Sequence, residues 1–76
     1  MSQELRIKNL TDADRSNLTN LCKTPPYLID AISNSNVPKQ IGNGVEMWRD
    51  QNNGDIVMRG SGNTLSQFNR GRETDE

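Results

Sequence analysis

The sequence predicts a small α+β domain with the element order β-α-α-β-β. Three observations support this prediction: an alternating segment near the N-terminus, two short apolar segments separated by Pro25–Pro26, and two apolar runs joined by Asn53–Gly54. A chain of 76 residues buries only about 60% of the surface that its unfolded form exposes, so its core must be small. We expect one domain over residues 1–62 and a flexible, polar tail over residues 63–76.

The first predicted element is a strand at residues 4–8, where polar and apolar residues alternate. Leu5 and Ile7 then face the core, and Arg6 and Lys8 face outward. This alternation fits an ordinary edge strand, whose charges discourage aggregation. It leaves open whether the strand pairs within its own chain or with its copy in a second chain.

A first helix is predicted to begin after this strand. Thr11 stands three residues before Asp14, which is a variant of the capping box that marks the start of a helix. Leu18, Leu21 and Cys22 then recur at helical spacing. We therefore expect a short helix with one narrow apolar stripe.

A second helix is predicted to follow Pro25–Pro26, since proline moves the residue before it out of the helical region. Thr24 is expected to cap this helix, with Pro25 at its first position. The turn-favouring residues 33–36 are expected to end it. Its buried side would be supplied by four apolar residues: Leu28, Ile29, Ala31 and Ile32.

A β-hairpin is predicted around Asn53–Gly54, a dipeptide typical of a type I′ turn. In the register that this turn implies, Arg49 faces Met58 and Trp48 faces Arg59. The core face of the hairpin would carry Val45, Met47, Ile56 and Met58. The opposite face would carry Trp48, Val57 and Arg59.

The C-terminal residues 63–76 contain two separated large apolar residues, Leu65 and Phe68, among polar residues and glycine. Three of the last four residues are acidic. This composition is the basis for predicting a flexible acidic tail.

Composition also bears on the class of function. The chain has no histidine and a single cysteine, Cys22, so it cannot form an internal disulfide or a Cys/His zinc site. No catalytic or cofactor motif is present, and we expect a non-enzymatic protein without cofactor or metal. The start of the chain is polar, and no apolar run approaches the roughly 18 residues of a membrane span. We therefore expect a cytoplasmic protein without a membrane partner.

The segment LRIKNLTDADRSNLTNL, residues 5–21, resembles the strand and first helix of the ribbon-helix-helix family of DNA-binding proteins, which includes Arc- and MetJ-type repressors. The likeness covers residues 3–35. In that family two chains pair their first strands into a ribbon that enters the DNA major groove. The resemblance implies a homodimeric transcription regulator in which Arg6 and Lys8 contact duplex DNA, a role for which arginine is suited. It also implies a shared core of Leu5, Ile7, Leu18, Leu21, Leu28 and Ile32.

The hairpin supports an alternative hypothesis, a small protein of the kind encoded by phages or mobile elements that binds and inhibits or modulates a host protein. Trp48, Arg59 and Val57 would form its binding surface, because Trp and Arg are enriched at binding hot spots. The high average burial of tryptophan favours instead a place for Trp48 in the core. The sequence leaves the DNA-binding and protein-binding hypotheses open.

Overall fold

The computed structural model describes residues 2–73 and confirms the α+β class, with three helices and a four-stranded antiparallel sheet in that range. The strands are β1 (Ser2–Ile7), β2 (Lys39–Gly42), β3 (Val45–Arg49) and β4 (Ile56–Ser61). The helices are α1 (Asp12–Cys22), α2 (Pro26–Ser33) and α3 (Gly62–Glu73). The predicted order therefore holds in part, since β2 and α3 are additional elements.

The strand order in the sheet is β1-β4-β3-β2, so β1 and β2 form its two edges. The first strand pairs with β4 of the same chain, with Leu5 opposite Met58 and Ile7 opposite Ile56. One edge of β1 is therefore hydrogen-bonded within its own chain. No strand of the described chain lies along its other edge.

The hydrophobic core lies between one face of the sheet and the helices. The strand residues that face the helices are Leu5, Ile7, Ile41, Val45, Met47, Ile56 and Met58. The helix residues that meet them are Leu18, Cys22, Ile29, Ile32, Leu65 and Phe68, with Leu21 partly buried beside them. The opposite face of the sheet is left without a covering helix among residues 2–73.

The start of α1 confirms the capping box predicted from the sequence. The Thr11 hydroxyl accepts a hydrogen bond from the backbone N–H of Asp14 at 3.1 Å, and the Asp14 carboxylate accepts one from the backbone N–H of Thr11 at 3.1 Å. Two backbone donors that a helix start leaves unpaired are thereby satisfied. At the other end, Lys23 closes α1 in a left-handed conformation with φ 57°.

The prediction that Thr24 caps the second helix is wrong. The helix begins at Pro26, and Pro25 occupies the capping position with no side-chain hydrogen bond. Thr24 is buried, and its hydroxyl donates to the carbonyl of Ile41 in β2 and lies 3.2 Å from the carbonyl oxygen of Cys22. A buried polar group is normally hydrogen-bonded, and the partner of the Thr24 hydroxyl lies in β2. This hydrogen bond therefore connects the joint between α1 and α2 to the sheet.

The hairpin register differs from the prediction by two residues. Trp48 lies opposite Val57 and Arg49 opposite Ile56, instead of facing Arg59 and Met58. The connection runs from Asp50 to Asp55 and is closed by a 2.8 Å bond from the Asp50 N–H to the Asp55 carbonyl. A shift of two residues leaves every side chain on its own face. The predicted core face of Val45, Met47, Ile56 and Met58 is accordingly buried.

The segment predicted as a flexible tail forms α3 as far as Glu73. Leu65 and Phe68 lie one helical turn apart and are buried, with Phe68 completely inaccessible. The backbone N–H of Thr64 is 3.4 Å from the Ser61 hydroxyl in the first turn. Residues 74–76 of the predicted tail lie outside the described residues. Two apolar side chains suffice here because they complete a core that the other elements have built.

None of the helices within residues 2–73 has the length and apolar character needed to cross a lipid bilayer.

Candidate binding face of the sheet

The uncovered face of the sheet brings residues of both functional hypotheses together. Arg6, Val57 and Trp48 form one cross-strand row over β1, β4 and β3. Glu4, Arg59 and Glu46 form the next row. We call these six residues the outer face. It joins Arg6, predicted to contact DNA, with the three residues predicted to contact a protein.

Trp48 is half-buried on the outer face, so it neither fills the core nor stands free in solvent. The guanidinium carbon of Arg59 lies 5.0 Å from the centre of its ring system, within the range of a cation–π contact. Val57, in the same row, is 0% exposed. Val57 therefore packs between its neighbours, and it cannot contact a partner directly, contrary to its predicted place in the binding surface.

The charges of the outer face are largely paired with one another. Arg6 lies 3.0 Å from the Asp50 carboxylate and 3.5 Å from that of Glu4. Arg59 lies 2.9 Å from the carboxylate of Glu46. Two guanidinium groups thus meet three carboxylates, and the face presents no excess of positive charge.

The pair formed by Arg6 and Asp50 also shifts the proton affinity of both groups. The backbone N–H of Asn52, followed by the Arg6 guanidinium, holds the pKa of Asp50 below its usual value. The hydrogen bond to Asp50, reinforced by the charge of Glu4, raises the pKa of Arg6 above its usual value. Both shifts favour the charged forms, so the ion pair persists at neutral pH.

Lys8 occupies a different environment from Arg6. It lies in the bend that follows β1 and lines a pocket of about 220 Å³. Arg49 and Arg15 line the same pocket. Arg15 is paired with Asp30 at 2.6 Å, whereas Lys8 and Arg49 have no ion-pair partner in residues 2–73. Arg6 and Lys8, which the alternating pattern predicts on the same side of β1, therefore lie in different surroundings in the structure.

A second concave surface lies between α2 and β2, and sequence reasoning missed it. It has a volume of about 370 Å³. We call it the α2–β2 groove; its lining consists of Lys23, Thr24, Pro25, Leu28, Ala31, Ile32, Lys39, Gln40 and Ile41. The four residues of β2 carry no clear alternation, so the sequence gives no signal for this edge strand. Of the four apolar residues predicted for the buried side of α2, only Ile29 and Ile32 are buried, and Leu28 and Ala31 are exposed at the groove. This excess of apolar residues was the one sign available in the sequence.

Cys22 has the place in the core that its apolar stripe predicts. The thiol is buried, and burial raises its pKa because the charged thiolate is disfavoured away from water. A buried thiol with a raised pKa is a poor nucleophile. The residue accordingly serves as a small apolar group in the packing of α1.

Comparison of the chain with protein-family models, with curated proteins and with solved structures finds no match.

Proposed function

We propose that this chain is a small non-enzymatic binding protein that recognises another protein through the outer face of its sheet. The observation that carries the proposal is the half-buried Trp48 held beneath Arg59 on a face that no helix in residues 2–73 covers. Aromatic and guanidinium groups are the side chains most enriched among residues that dominate binding energy. Their stacking fixes the position of Trp48 before a partner arrives, which reduces the entropy lost on binding.

The charge balance of the outer face favours a protein over a nucleic acid as its partner. Nucleic acids bind mainly through uncompensated cations that replace condensed counterions. Arg6 and Arg59 already hold carboxylates at 3.0 Å and 2.9 Å, respectively. A protein surface of mixed charge can exchange these pairs or dock around them, since protein interfaces combine an apolar centre with a polar rim.

The test is affinity capture from cell lysates with the immobilised full chain, followed by quantitative mass spectrometry. The outer-face variant is Trp48→Ala, and the control is Gln67→Ala, which shortens an exposed side chain of α3 outside both the outer face and the α2–β2 groove. We expect proteins captured by the wild-type and control chains to fall at least about tenfold on Trp48→Ala, as a hot-spot residue implies. Equal capture by all three folded chains would refute the proposal.

A second candidate function is DNA binding by a homodimer, as the ribbon-helix-helix resemblance implies. It is favoured by Lys8 and Arg49, two cations that line one pocket at the end of β1 and form no ion pair with any described residue. The free edge of β1 also offers a place where a second copy can pair. We would titrate the protein with generic duplex DNA at low salt and follow its backbone amides by NMR. Shifts at residues 4–9 that vanish as salt rises support this function, and their absence eliminates it.

A further inference from the structure

We propose that the α2–β2 groove is a second binding site, which takes an extended acidic peptide segment of a partner protein and seats one of its apolar side chains between α2 and β2. The site lies apart from the outer face, because none of the six outer-face residues lines it. The proposal therefore stands whether or not the outer face binds a protein.

The groove has an apolar interior of suitable size. Ile32 and Ile41 are 7% and 2% exposed and form its floor. Leu28, which is 39% exposed, and Ala31 form the wall on the α2 side. A volume of about 370 Å³ is within the range of sites that enclose a ligand group. An apolar side chain placed here would be removed from water on the sides that face α2 and β2.

The charge of the groove specifies an acidic occupant. Lys23 and Lys39 line it, and no acidic residue within residues 2–73 does. Neither lysine forms an ion pair in the part of the chain that the structure describes. By contrast, four arginines of the chain are already paired with carboxylates: Arg6, Arg15, Arg59 and Arg72. Complementary carboxylates on the ligand would steer it to this edge and fix its orientation.

The surroundings of the groove favour a peptide over a small molecule. Tyr27 and Val37, on α2 and just before β2, are 70% and 61% exposed. Tyr27 lies one helical turn before Ala31, and Val37 lies two residues before Lys39, so both are close to residues that line the groove without lining it themselves. A chain segment that continues past the groove would cover them, whereas a ligand confined to the groove would not. Burying such exposed apolar surface is the main gain of a peptide contact.

The geometry of β2 limits how the peptide can pair. β2 is an edge strand, the kind of element to which an extended peptide adds. The Thr24 hydroxyl already occupies the Ile41 carbonyl, and Pro38 has no N–H to offer. The Cys22 carbonyl also lies directly against Gly42, so the joint between α1 and α2 covers this end of β2 and leaves Lys39–Gln40 as the part of the edge that is open to a peptide. Recognition accordingly rests on the apolar side chain and the two lysines.

The experiment selects phage-displayed random nine-residue peptides on the full chain and measures the affinity of the enriched peptides. We expect them to carry a large apolar residue next to Asp or Glu. Ala31→Arg, at an exposed helix position, places a long side chain in the groove; the loss of the apolar contact should outweigh the added positive charge and lower affinity at least about tenfold. The control is Ser66→Arg, the same residue introduced at an exposed position of α3.

A charge reversal provides an independent test. The double variant Lys23→Glu/Lys39→Glu should lose the acidic peptides and select basic ones. Lys8→Glu/Arg70→Glu makes the same change of charge outside the groove and should select the same peptides as the wild type. The thermal midpoints of all variants would establish that each chain is folded.

Three outcomes would overturn the proposal. The first is the absence of enriched peptides, or enrichment without acidic residues. The second is binding that survives Ala31→Arg but is lost in Trp48→Ala, which would assign the peptides to the outer face. The third is a concentration-dependent dimer that Ala31→Arg abolishes, since a second copy of the chain would then be the occupant of the groove.

Discussion

Arg72, in the last turn of α3, places its Nε 3.3 Å from Oδ1 of Asp14, the carboxylate that caps the first turn of α1. Asp14 is only 2% exposed. A buried carboxylate needs both hydrogen bonds and a counter-charge, and here the cap supplies the first and α3 the second. This contact joins the last described helix to the first.

We expect Arg72→Met to lower the free energy of unfolding by about 1 kcal/mol, because it leaves the buried Asp14 carboxylate without its counter-charge. Arg70→Met is the matched control, since Arg70 is exposed and has no ion pair among the described residues. It should change stability by less than about 0.5 kcal/mol. Urea unfolding followed by circular dichroism measures both, and equal losses would contradict a specific role for Arg72.

A second prediction distinguishes a packed helix from a flexible tail. Phe68 is 0% exposed beneath α3, and Phe68→Ala should cost about 3–5 kcal/mol. A loss of that size can unfold a small domain outright, so Phe68→Leu, expected to cost less than the alanine variant, provides the graded comparison. Thermal unfolding of the two variants and of Gln67→Ala, an exposed neighbour, gives the measurement. A tail would show no effect in any of the three.

The sequence predicts those elements whose signals are local. Alternation at residues 4–8 identifies the core-facing side chains of β1, and the capping box at Thr11 marks the start of α1. The faces of the hairpin survive an error in its register because the side-chain period of a strand is two residues. Each of these features depends on neighbours within a few residues.

The missed elements depend on contacts between distant segments. Thr24 resembles a helix cap locally, but Ile41, seventeen residues away, takes its hydroxyl. Leu65 and Phe68 are too few to indicate a helix until the rest of the core offers them a surface. The α2–β2 groove and the outer face both arise from such pairings, so the sequence around Lys39 carries no local signal of a binding site.

Acid should weaken the contact between the hairpin connection and β1. The pKa of Asp50 is lowered in the folded state by the Asn52 N–H and by Arg6. A lowered folded-state pKa stabilises the fold above the unfolded-state value, near 3.8, and this stabilisation is lost as the pH falls through the folded-state pKa. Asp50→Asn should therefore be less stable than the wild type at pH 7, and the difference should disappear as the pH falls through the folded-state pKa of Asp50.

The measurement for this prediction is the denaturant midpoint of wild type and Asp50→Asn at a series of pH values. Asp55→Asn is the control, because its carboxylate forms no ion pair in residues 2–73. A gap between wild type and Asp50→Asn that stays constant from pH 7 to acid would show that the charge of Asp50 is irrelevant to stability.

Substitutions of Lys23 should affect the stability of the fold and the affinity for an acidic peptide in opposite directions. Its φ of 57° is a conformation that glycine adopts without strain and in which a helix end usually carries glycine. Lys23→Gly should therefore raise the free energy of unfolding by about 0.5–1 kcal/mol. It also removes one of the two cations of the α2–β2 groove, so the affinity for an acidic peptide should fall.

The control variant is Lys23→Ala, which retains the backbone strain but removes the charge. It should weaken peptide binding without any gain in stability. Urea unfolding and peptide titration measure the two effects of Lys23→Gly. If Lys23 serves to bind the ligand, stability should rise and peptide affinity should fall. A loss of stability in Lys23→Gly would instead mean that the lysine side chain itself supports the joint between α1 and α2.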